Sequence, residues 1–237
     1  MRGLVIGNSL DSDSGLLGLR LSQLGFSLET FGREHPRFWP SLSGVDVLIL
    51  LGSDWSVYSA AHAREVGAEI DLLKTAARRG TPIFGICYGA QIICTALGGE
   101  VRRASRYEVG WNSVSSSEFA NLLSHKWMQW HYDKCAPPKG LRVVASNDFG
   151  PQALLARRLF ATQFHPEVTV AIVTRWCMSQ GGAELKALGI SPERLIDETM
   201  REFHQVEPRA ARLIDWFVES VGFSDKEDST LPQPSAF

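Results

Sequence analysis

The stretch TPIFGICYGAQIICTALGG, Thr81 to Gly99, sets a cysteine between two glycines where an apolar run turns directly into a helical pattern. PIFGI is apolar throughout, as a strand covered on both faces is. YGAQIICTAL follows as a helix, with glycines at its stop. A strand joined to a helix with almost no connection is the layout of a nucleophile elbow, with Cys87 where many hydrolases carry serine. Such a turn forces strained dihedrals on the nucleophile and needs small neighbours, here Gly85 and Gly89. It carries the sulfur to the carboxyl end of the sheet, where open α/β folds place their ligands. The positive end of the helix dipole favours thiolate over thiol. Free cysteine is among the most buried residue types, so packing alone is the rival reading of Cys87. The strand–turn–helix setting weighs for the nucleophile.

Outward from this point, strands and helices alternate. RGLVIGNS reads as a buried strand, SGLLGLRLSQLG as a helix with a glycine stop, and FSLETF as a second strand. REHPRFWPSLSG is a loop by its prolines, and VDVLILLGS is another continuous apolar strand. AREVGAEIDLLKTAARRG is a helix with cations and then glycine at its end. The pattern predicts an α/β fold: a mostly parallel central sheet flanked by helices. From Glu100 to Phe164 the short alternating runs EVRRA, WNSVSS, WMQWH, LRVVAS, PQALLA and RLFATQF predict antiparallel strands added to that sheet. Beyond Val168 the chain is helical: Ser191 caps one helix with Pro192 in its first turn. A last helix carries Leu213, Ile214, Phe217 and Val221 on one side. One domain over residues 1–223 is expected, with a disordered polar tail over 224–237, SDKEDSTLPQPSAF.

The 237 residues carry a formal charge of −2, so no broad nucleic-acid footprint is expected. The N-terminal apolar run before Gly7 is too short for a signal peptide, and no run is long enough to span a bilayer. A cytoplasmic location without membrane partners is therefore expected. Cys87, Cys94, Cys135 and Cys177 form no CxxC pair and read as reduced thiols. Neither cysteine nor histidine shows zinc-site spacing, and no metal or cofactor is expected.

A cysteine nucleophile needs a base and an orienting group. FATQFHPEVT offers both: His165 and Glu167 lie two apart, pointing roughly the same way, and Pro166 ends the strand at a sheet edge or rim. His165 would shuttle the proton while Glu167 fixes its tautomer. His131, in QWHYDK, is the rival histidine. One oxyanion donor is the backbone N–H of the residue after the nucleophile, Tyr88. A second is expected from Gly52, just beyond the strand in LILLGSDWSVYS.

With these residues assembled, the chain resembles the class I glutamine amidotransferases, the Cys-His-Glu triad family. GICYGAQ, LGG, WMQWHYDK and QFHPEVT occur in the family's order and spacing between Val45 and Val168; of these, GICYGAQ with LGG, and WMQWHYDK, particularly resemble the amidotransferase part of GMP synthetases. The resemblance implies Cys87 as nucleophile, His165 as base, Glu167 as orienter, and Gly52 and Tyr88 as oxyanion donors. It implies that Gln91 touches the amino-acid end of the substrate; the spacing agrees, since Gln91 lies one helical turn after Cys87. It also makes Trp130, His131 and Tyr132 substrate-binding candidates through their main chain.

Two departures stand out. The oxyanion loop is Gly52-Ser53-Asp54 where the family more often has Gly-Gly-Pro. Tyr132 stands where GMP synthetases commonly have glycine, and its ring would close the pocket or reshape it for a larger γ-glutamyl compound. Trp111 and Glu108, in YEVGW, are weaker candidates for the same cleft. The resemblance implies hydrolysis of the γ-amide of glutamine through a cysteinyl thioester, with ammonia passed to a separate synthetase partner. An alternative is a free-standing γ-glutamyl peptidase acting on γ-glutamyl conjugates. A third reading is a non-catalytic module whose Cys87 senses oxidants.

Overall fold

A computed structural model describes residues 1–223. The tail expected to be disordered lies outside the described residues. The first half alternates as its periodicity implies: β1 (Arg2–Gly7), α1 (Gly15–Gln23), β2 (Ser27–Gly32), β3 (Val47–Leu50), α2 (Ala63–Arg79), β4 (Ile83–Ile86) and α3 (Tyr88–Ala96). α2 stops where Gly80 turns to φ +69° and its N–H bonds back to Ala77. The second half holds β5 (Glu100–Ser113), the single turn α4 (Ala120–Leu123), β6 (Lys126–Ala136), β7 (Arg142–Ser146), β8 (Pro151–Ala156) and β9 (Leu159–Thr162). It closes with α5 (Val170–Met178), α6 (Gln180–Ala187) and α7 (Pro192–Trp216), which runs on into a π-helical segment, Phe217–Gly222, that holds Phe217 and Val221.

The main sheet has seven strands in the order β2-β1-β3-β4-β9-β8-β7. β2, β1, β3, β4 and β9 run parallel; β8 is antiparallel to β9, and β7, antiparallel to β8, points the same way as the parallel set. Strand side chains alternate between two cores. Val5, Val47, Ile49, Phe84 and Phe160 meet α1, α5 and α7 on one face. Leu4, Ile6, Leu48, Leu50 and Ile83 meet α2 and α3 on the other. Both faces are covered, which is why these strands read as unbroken apolar runs.

Three expectations need correction. First, EVRRA and WNSVSS are not separate strands: they join in β5, whose register against β6 shifts between Arg103 and Glu108. β5 and β6 form their own two-stranded sheet rather than an addition to the main one. A bulge absorbs the irregularity that alternation alone reads as a break. Second, RLFATQF supplies β9, which is parallel to β4 rather than antiparallel. The tight turn at Arg157–Arg158, with Arg158 at φ +55°, reverses the chain out of β8 and sends β9 in beside β4. Third, the two C-terminal helices are one, α7, which runs through Pro208. The buried stripe Leu195, Thr199, Val206, Ala210 and Leu213 keeps helical register across the proline. Its burial outweighs the single lost N–H bond.

Candidate active site

β4 and β9 are neighbours and point the same way, so their carboxyl ends lie side by side. Cys87 follows β4 directly, at φ +52° and ψ −105°, and stands as the N-cap of α3. Its N–H donates to Thr162 O at 2.7 Å, tying the elbow to the end of β9. The flanking glycines are needed for space. A Cβ on Gly85 would lie 2.8 Å from the Gly89 backbone, and one on Gly89 would collide with the Leu50 carbonyl.

His165 and Glu167 follow β9, an interior strand, so the pair sits at the sheet's carboxyl rim and not at a lateral edge. Cys87, His165 and Glu167 are 4%, 4% and 3% exposed. The His165 N–H bonds to Met128 O at 2.9 Å, which links the pair to β6. Its Nδ1 donates to Glu167 Oε1 at 2.7 Å. Leu16 N, at the start of α1, donates to the Glu167 carbonyl at 2.8 Å and fixes that residue from the other side. The second ring nitrogen, Nε2, is buried and without a hydrogen-bond partner among the described residues. Burial alone would lower the pKa of His165; the Glu167 carboxylate, and after it the Cys87 sulfur, outweigh burial and hold it up at about 10.

Gly52 lies against both groups. A Cβ there would be 3.1 Å from the His165 ring and 3.6 Å from Cys87 Cβ. The amide N–H groups of Gly52 and Tyr88 have no hydrogen-bond partner among the described residues. Gly52 packs against Cys87 and Tyr88 follows it in the chain, so both unpaired amides belong to residues that adjoin Cys87.

Cys87, Gln91, Gly52, Trp130, His131, Tyr132, His165 and Glu167 all line one cleft of about 740 Å³. The Tyr88 side chain is buried in the core on the α2–α3 face, so only its backbone serves the site. Gln91 is buried and donates to Gln163 Oε1 at 3.4 Å. The Trp130 carbonyl is 3.8 Å from the Cys87 sulfur, and the Trp130 indole donates to Glu184 Oε2 at 2.6 Å. The Tyr132 ring carries the Arg103 guanidinium 4.6 Å from its centroid. Burial pushes its phenol pKa up, and Glu184 adds to the rise.

The rival histidine, His131, has both ring nitrogens occupied. Its ring nitrogens lie 3.0 Å from Glu108 Oε2 and 3.1 Å from the Asp133 carbonyl, inside a buried polar network. Glu108 is thus buried and held within that network; Gln152 also donates to it at 2.9 Å. Trp111 is a core residue whose indole donates to Thr199 at 3.0 Å.

Several cleft residues have no local signal in the sequence. Trp176 on α5 packs edge-on against His165, ring centroids 5.0 Å apart, and donates to Asp11 at 2.7 Å. Arg103, Arg175 and Glu184 bring charge to the rim. Only the fold gathers them. Among the described residues, no group of three or more histidines, cysteines or carboxylates is arranged to hold a metal ion. No helix there is long and apolar enough to cross a membrane.

This geometry coincides with a known family. The model of the class-I glutamine amidotransferases matches residues 15–172. A GMP synthase (glutamine-hydrolyzing) from Bdellovibrio bacteriovorus is 33% identical over 172 residues, which is 71% of this chain and 33% of that protein. One from Gloeothece citriformis is 38% identical over 136 residues, 53% of this chain and 23% of that protein. The chain spans a third or less of the length of these curated relatives. A glutamine amidotransferase from Thermotoga maritima superposes with a TM-score of 0.83 at 23% identity, covering 93% of this chain and 99% of the other. One from Methylobacillus flagellatus superposes at 0.77 with 17% identity, covering 95% and 96%. Identity that low speaks to the fold, which is shared: a mostly parallel sheet between helices. The match over residues 15–172 decides the family: this chain belongs to the class-I glutamine amidotransferases.

Proposed function

We propose that this chain hydrolyses the γ-amide of glutamine through a thioester on Cys87. The observation that carries the reading is the alignment of three groups: a cysteine held at φ +52° on an elbow, a buried His165–Glu167 pair, and Gly52 packed against both. The Cys87 thiolate attacks the side-chain carbonyl carbon, and the oxygen takes the charge beside the Gly52 and Tyr88 amides. One such donor is worth about 3 kcal/mol of the barrier. As the intermediate collapses, the C–N bond breaks and the His165 imidazolium gives its proton to the departing ammonia. His165 then takes a proton from water. The hydroxide displaces the sulfur and glutamate leaves. Glu167 keeps the Nδ1 proton in place throughout and stabilises the imidazolium.

The relatives of which the chain spans a third or less are GMP synthases (glutamine-hydrolyzing), and by analogy the ammonia is proposed to pass to a synthetase partner. The test is release of glutamate and ammonia from glutamine by the purified protein, with and without candidate synthetases. Cys87→Ala should abolish release; unchanged release in that variant discards the reading. The size of the cleft, about 740 Å³, and the Tyr132 ring in its wall favour a second reading with the same chemistry. In it the leaving group is a larger amine from a γ-glutamyl conjugate. A panel of γ-glutamyl amines scored for glutamate separates the two by the substrate with the higher kcat/KM.

A further inference from the structure

We infer that Arg33 is a positioning residue for the oxyanion hole: its guanidinium grips the peptide that carries the Gly52 N–H and covers the ring of Tyr88, aligning the two donors. The inference rests on the proposed reading of those amides.

Arg33 follows β2, far from the cysteine in sequence, and is fully buried. A guanidinium cannot shed its charge in a protein, so a buried one must be matched by acceptors. Its partners are specific. Nη2 donates to Leu51 O at 3.0 Å. Nη1 donates to Gly52 O at 2.9 Å and to Asn8 Oδ1 at 2.8 Å. The guanidinium carbon lies 4.3 Å from the centroid of the Tyr88 ring. Among the described residues nothing else donates to the Leu51 or Gly52 carbonyls.

The consequence follows from peptide planarity. The Leu51 carbonyl and the Gly52 N–H belong to one trans peptide and point in opposite directions. Holding that carbonyl on Arg33 aims the N–H away from Arg33, on the side where Gly52 faces Cys87 and His165. The other braces of the loop lie to either side of that peptide: Leu51 N donates to Ile6 O at 2.9 Å before it, and beyond it Ser53 Oγ accepts from Trp55 N at 3.0 Å while Ser56 and Tyr58 donate to Asp133 at 3.0 and 2.8 Å. Tyr88 supplies the other donor through its backbone, and its ring is the surface on which the guanidinium rests. One side chain therefore touches both halves of the hole without touching substrate.

An ion pair with Glu69 alone does not account for Arg33. The Nε to Oε1 separation is 3.4 Å, the longest of its polar contacts, and Glu69 Oε2 has no hydrogen-bond partner. Burial pushes the Glu69 carboxyl pKa up, against the pull of Arg33.

The experiment uses the full chain and two variants. Arg33→Lys keeps the charge facing Glu69 but loses the fork that reaches two carbonyls. The double variant Arg33→Met, Glu69→Met removes both buried charges, so no unpaired ion is left to unfold the protein. Each is checked for folding by thermal melting. The expected result is a fall in kcat for glutamate release of at least tenfold, up to the ~10²–10³-fold that losing a whole donor costs. KM should stay within threefold. The rate of Cys87 alkylation by iodoacetamide should be unchanged, because that reaction uses no oxyanion hole. A control, Leu73→Ala on α2, lowers stability without touching either carbonyl and should keep kcat within twofold. A folded Arg33 variant with undiminished kcat overturns the inference, as does a loss of kcat matched by Leu73→Ala. If instead Cys87→Ala still releases glutamate, the underlying reading fails, whatever Arg33 does.

Discussion

At φ +52° Cys87 holds a conformation that costs an L-residue roughly 1–3 kcal/mol, and the cost buys the sulfur its place at the tip of the elbow. Glycine occupies that conformation freely. Cys87→Gly should therefore be more stable than Cys87→Ala by about 1 kcal/mol in urea unfolding, though both are inactive. His165 gives a second expectation at this scale. Its pKa is near 10 in the folded chain and about 6.5 in the unfolded chain. A raised folded pKa means that the imidazolium stabilises the fold fully below about pH 6.5 and loses that contribution as pH rises through about 10. The general acid is lost over the same upper limb, so turnover should fall near pH 10. Glu167→Gln should move that limb down by about 1–3 pH units, read from the pH profile of kcat. Cys87, His165 and Glu167 are legible in sequence because each lies in a short motif with turn chemistry of its own. Arg33, Trp176 and Glu184 are not. Each acquires its role through contacts to distant segments: Arg33 to Gly52, Trp176 to His165, and Glu184 to Trp130.

The elbow works as an element because β4 and α3 come close enough for backbone to meet backbone. Gly89 sits against the Leu50 carbonyl of the neighbouring strand, so Gly89→Ala must push α3 off β3. It should lower stability by about 1–3 kcal/mol and reduce kcat together, measured by urea titration and glutamate release. Alternation of polar and apolar residues announced the strands of the second half but not their partners. Period two fixes which face a residue takes and says nothing of direction, so β9 could be read as a strand without being read as parallel. The same limit hid the separate β5–β6 ribbon. The ribbon's place is set by His131, Glu108 and Gln152 meeting in a buried polar network, and by the Met128–His165 backbone bond. None of these is visible in local spacing.

Across the whole molecule, two apolar cores clamp the sheet, and both contribute to the site. The α2–α3 core carries α3, the helix that Cys87 caps. The opposite core fixes Glu167 through α1, and joins the ribbon to β9 where Trp127 stacks on Phe164, centroids 4.7 Å apart. Trp127 is fully buried, so Trp127→Ala should cost about 3–5 kcal/mol. The bidentate Arg20–Asp215 pair, which links α1 to α7, is about one-third exposed, and Arg20→Met should cost less than about 1 kcal/mol. Urea unfolding of the two variants ranks packing against surface charge. The layered α/β architecture was legible because buried parallel strands have no polar face to disguise them. The unbroken run of α7 through Pro208 was not, since a proline reads locally as a stop and only the continuous stripe overrides it.

The most direct measurement is a rapid acid quench of the protein during turnover of glutamine, followed by mass spectrometry of its cysteine peptides. A glutamyl group should be found in thioester linkage on Cys87 and be absent from Cys94, Cys135 and Cys177. Steady glutamate release with no adduct on Cys87, or with the adduct on another cysteine, would contradict the mechanism.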